Sequence, residues 1–157
     1  MSCDAISLSA FLWLAAASSA ASSPSASVAI AAPTPVAGEP LFVDIVGRAG
    51  RLKAQTEAFS KADLHGDLDQ LPGFPAYEAA IGELSDLDMK GHVLLAARGT
   101  DGDLKCILKG ISQDLPVKLK ALEAAPDAKA RQQAMKELTY LLRDNVEVIT
   151  SPPAPPA

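Results

Sequence analysis

Few residues of this chain have types and spacings suited to chemistry. Asp63, His65, Asp67 and Asp69 occupy alternate positions in DLHGDLDQLPG. Carboxylates at alternate positions are how a calcium loop gathers hard oxygen ligands. The pattern departs from that loop in two places. Leu68 stands where the sharp turn needs glycine, and Phe74 stands where a bidentate glutamate is required. A solvated acidic loop is the expectation, and no metal site is assigned.

His92 follows Met89 by three residues. Histidine and methionine can ligate haem iron together, but from opposite sides of the ring. Residues three apart on one helix share a face, so this pair does not qualify. There is no C-x-x-C-H run for covalent attachment, and no cofactor is expected. Asp101 and Asp103 read as helix-start residues rather than ligands, with Thr100 as the cap.

Cys106 is the one cysteine left if an N-terminal leader is removed, because the other is Cys3. In an oxidising compartment an exposed thiol there pairs between chains and gives a homodimer. The plainer alternative is a small buried filler. With two histidines in the whole chain, no His/Asn or His/Asp set stands beside it as a nucleophile's base. No catalytic residue is assigned, and the chain reads as non-enzymatic. Asn145 falls inside the apolar stripe of the last helix. Its buried amide must find partners, and a role in helix register or at a loop end is expected.

The elements that hold these residues are helical in pattern. Ala134, Met135, Leu138, Leu141, Leu142, Val148 and Ile149 recur at the spacing of one helical face within 126–149. Pro126 suits its first turn, with Asp127 near the positive end of the dipole and Arg131 a turn later. A first helix is predicted over 40–62, with Leu41, Ile45, Ala49, Leu52 and Phe59 inward. Gly47 and Gly50 either weaken it or admit a close neighbour. A second spans 74–98 on Tyr77, Ala80, Ile81, Leu84, Leu87, Gly91, Leu94 and Leu95, closed by Gly99. A third carries Leu104, Ile107, Leu108 and Ile111 inward. It is predicted to bend or break at Pro116, with Asp114 recapping it.

Composition agrees. Hydrophobic residues make up 48% of the 157, but aromatics only 4%, which suits close-packed helices better than a β-sandwich. The net charge of −5 with no basic cluster argues against nucleic acid or an anionic membrane as the main partner. Residues 5–17 form an apolar run of signal-peptide length, too short for a membrane span, although Asp4 precedes it and no basic residue does. Small residues follow, with cleavage expected after Ala20 or Ala31.

The predicted organisation is a signal peptide and cleavage region over 1–31, then a flexible Ala/Pro-rich linker over 32–40. A helical domain over 41–150 and a Pro-rich tail over 151–157 complete it. The fold class is all-α, a small antiparallel four-helix bundle with disordered terminal segments. The expected function is that of a periplasmic or secreted, non-catalytic protein-interaction module with an unidentified protein partner. The alternative is a small-ligand or cofactor carrier with its site between the helices, for which Asn145 and His92 are the available polar groups.

Overall fold

Where each helix begins and what continues it are decided by a few short polar residues, glycines and prolines. The computed structural model describes residues 35–151. The expected leader, the first three linker residues and the tail from 152 onward lie outside them. Four α-helices follow in order: α1 (Pro40–Phe59), α2 (Phe74–Arg98), α3 (Gly102–Glu123) and α4 (Ala128–Thr150). Among the described residues there is no strand, and the all-α four-helix expectation holds.

The α4 helix starts two residues later than predicted. Asp127 is the cap, its carboxylate accepting from the Ala130 amide at 2.7 Å, and Pro126 lies just ahead of it. The buried face is Ala134, Met135, Leu138, Leu142, Asn145 and Ile149, the stripe expected, while Leu141 and Val148 are half-buried at its margin. The bounds of α2 match the prediction. Gly73 at φ 87° and Gly99 at φ 68° bracket it, both in the left-handed region where a side chain is disfavoured.

The α3 helix corrects two expectations. Thr100 is not its cap: Asp101 occupies that position at φ 48° and makes no side-chain capping bond. Nor does the helix break at Pro116, so Asp114 recaps nothing. Proline has no N–H, so the carbonyl four residues earlier loses its helical donor. That carbonyl belongs to Ser112, and the Ser85 hydroxyl of α2 donates to it at 2.6 Å. A neighbour thus supplies the missing bond, and the helix runs through. Ser85→Ala is expected to cost about 1–3 kcal/mol by leaving a carbonyl unsatisfied beside the buried Ser112, read as a lowered urea midpoint.

The helices close into a ring. α3 packs on α2 and α4, and α1 packs on α4 and α2. α2 and α4 therefore face each other across the core. Moving from Ser85 to His92 along α2 takes the bonded partner from Ser112 back to Lys105, so α2 and α3 run in opposite directions. On α1 the inward set is Phe42, Ile45, Ala49, Leu52 and Thr56; Leu41 and Phe59 are only half-buried. Gly47 and Gly50 admit no neighbouring helix, since nothing but the Arg51 side chain approaches either. The close approach is at Gly91 of α2. A Cβ there would lie 3.1 Å from Leu108 Cδ1, 3.4 Å from Phe42 and 3.5 Å from Ile45.

Part of the predicted linker has regular structure. Pro35–Gly38 forms a 3₁₀ turn that lays Val36 against the core at 3% exposure. Glu39 then receives both arms of Arg98 at 2.7 and 2.8 Å, tying the start of α1 to the end of α2. Among the described residues no helix is long and apolar enough to cross a membrane.

Candidate functional site

The buried face of α2 reads Ile81, Leu84, Asp88, Gly91, Leu95, a carboxylate set into an apolar row. Asp88 and Asn145 are both fully buried, and the Asn145 amide donates to Asp88 Oδ2 at 2.7 Å. The pair bridges α2 and α4 directly across the core. Asp88 Oδ1 and Asn145 Oδ1 are also buried, and neither has a hydrogen-bond partner. Burial pushes the Asp88 carboxyl up to about 8, against the opposing pull of the Asn145 bond. Asn145 thus holds the structural place expected of it. Asp88 was missed, although its spacing from Leu84 and Gly91 is that of the stripe itself.

A second buried bond joins α1 to α2. The Thr56 hydroxyl donates to the Leu52 carbonyl at 2.8 Å, and its oxygen lies 2.7 Å from Tyr77 Oη. A hydroxyl has one hydrogen, so Tyr77 is the donor in that contact. Burial pushes the Tyr77 phenol up to about 12, partly offset by Thr56. Phe59 meets Phe74 and Tyr77 edge-on, with centroids 5.7 and 5.3 Å away.

The acidic loop after α1 uses its carboxylates locally. Asp63 accepts from the His65 amide and Asp67 from the Asp69 amide, two turns closed by side chains. Asp67 and Asp69 line a surface cleft of about 290 Å³ with Leu68, Glu78, Glu123 and Arg131. Partial burial, then the charges of Glu78 and Asp69, raise the Glu123 carboxyl. Arg131 donates to the carbonyls of Leu64 and Gly66, which fastens this loop to α4. Among the described residues no three His, Cys, Asp or Glu side chains form a group able to hold a metal.

His92 and Asn145, the two polar groups available for a carrier site, are each bonded to a different partner. Asn145 is bound to Asp88. His92 Nδ1 lies 2.7 Å from the Lys105 carbonyl, which only accepts, so that nitrogen carries the proton. No family model, curated protein or solved structure matches the chain.

Cys106 is half-buried and disulfide-bonded. The only other cysteine of the sequence, Cys3, lies outside the described residues.

Proposed function

We propose that this chain is an exported, non-catalytic helical bundle that acts as a protein-interaction module through the outer face of α4. The observation that carries the reading is the Tyr140–Arg143 pair. Tyr140 is 58% exposed, and the Arg143 guanidinium stands 4.9 Å from its ring centroid. Tyrosine and arginine are the residue types enriched where proteins bury their contacts. The pair is held ready, because Arg143 is also bonded to Asp144 and Glu147. A photo-crosslinker placed at position 140 is expected to trap one defined protein in the native compartment. The trapped band should vanish on R143E and should not form from position 129. Equal labelling from both positions, or none from 140, removes the proposal.

Export is supported by the apolar run over 5–17 and the small residues after it. A chain cleaved after Ala20 or Ala31 has lost Cys3, the other cysteine of the sequence, and a Cys106 disulfide in that mature chain would have to join two copies. The expected result is a dimer band on a non-reducing gel that C106S abolishes, with an intact mass lacking the first 20 or 31 residues. A monomer that retains Cys3 overturns both the cleavage and the dimer.

A further inference from the structure

Among the described residues, the two buried side-chain oxygens left without partners belong to the same pair of side chains. Asn145 gives one amide hydrogen to Asp88 Oδ2. The unpartnered atoms are the other oxygen of Asp88 and the carbonyl oxygen of Asn145. Two acceptors cannot satisfy each other, and leaving both dry in a core is costly. One proton resolves both. A neutral carboxyl donates from Oδ1 to the Asn145 carbonyl while accepting the Asn145 amide at Oδ2, which closes a reciprocal two-bond ring.

We propose that Asp88 and Asn145 form such an acid–amide latch, with the proton resident on Asp88, and that removing this proton unfastens α2 from α4 across the core. The surroundings leave the charge no other remedy. One turn along, Gly91 is packed against Phe42 and Ile45 of α1 and Leu108 of α3, all apolar. On α1, Asp44 and Arg48 are paired with each other, and Arg48 also with Glu83. On α4, Arg143 is held by Asp144 and Glu147. On α3, Lys105 and Lys109 make no ion pair with Asp88, nor do Lys90 and His92 on its own helix, and the acid nearest to it in sequence, Asp86, would repel its charge. Burial and the Asn145 amide are the influences on its proton.

The sign follows from the raised carboxyl. The unfolded chain ionises Asp88 near the ordinary value of 3.8, whereas the folded chain holds the proton to about 8. The latch therefore contributes fully below pH 3.8. It weakens as pH rises through the interval and has lost its contribution above about 8. Glu39, Glu57 and Glu137 are lowered by their cationic partners and act the other way, losing stability in acid. Comparison with D88N isolates the latch, since an amide–amide pair keeps two bonds and cannot ionise.

The test uses the full chain. Infrared spectra of protein with carbon-13 at aspartate carboxyls should show a protonated-acid band at pH 6. The band should be absent in D88N and should fade toward alkaline pH. Over the same range the wild-type ratio of folded to unfolded chain should fall up to about tenfold per pH unit relative to D88N. No Asp88-dependent acid band at pH 6, or parallel stability curves, overturns the proposal. The wild-type spectrum decides alone if D88N does not fold, because an acid band at pH 6 that does not titrate, or none at all, is equally fatal.

Discussion

Tyr77→Ala is expected to destabilise the bundle by about 3–5 kcal/mol, the range for truncating a buried aromatic. Tyr77 is 1% exposed and packs against Phe59 and Phe74, so alanine opens a cavity that two rigid rings cannot collapse to fill. It also removes the hydroxyl that donates to Thr56. Tyr77→Phe separates the two losses. It keeps the ring and drops one buried hydrogen bond, at about 1 kcal/mol, because Thr56 retains its bond to Leu52. Urea midpoints ordered wild type, then Tyr77→Phe close behind, then Tyr77→Ala far below, check the assignment. Equal losses from the two substitutions would place the energy in the hydroxyl instead.

Gly91→Leu is the other large effect, expected to cost about 3 kcal/mol or more through overpacking. The first carbon of any side chain there already meets Leu108 at 3.1 Å, and leucine drives three further carbons into Phe42 and Ile45. α1 and α3 must then both move off α2. Gly91→Ala has two opposed terms. It gains about 1 kcal/mol of helix propensity and gives back a similar amount by nudging the end of the Leu108 side chain, so it should be near neutral. Gly82→Ala is the control. Nothing lies within 4 Å of the added carbon, and the propensity gain of about 1 kcal/mol should appear whole as a raised thermal midpoint.

Much of this architecture was legible because helical stripes advertise themselves. The face of α4 and both ends of α2 were readable from apolar spacing and from Gly99. What escaped depends on partners distant in sequence. Pro116 reads as a break until Ser85, on another helix, is known to serve the carbonyl it orphans. Gly47 and Gly91 look alike in a sequence, and only the packing tells which one a neighbour touches. Asp88 was hidden by its chemistry: a carboxylate at a core position is passed over as an outward charge unless Asn145 is brought opposite. The Asx turns at Asp63 and Asp67 fit the expectation of a loop, but nothing local announced that Arg131 would fasten it.

The order of packing around the ring has a bearing on synthesis. α1 rests more on α4 than on α2, so the first of these four helices to be made depends most on the fourth. Until α4 is made, the buried face of α1 has only part of its cover, and the growing chain carries an oily strip that holding proteins can grip. A transcript truncated before α4 should therefore yield a product that aggregates or is degraded, whereas the middle pair α2–α3 can close as soon as both have appeared.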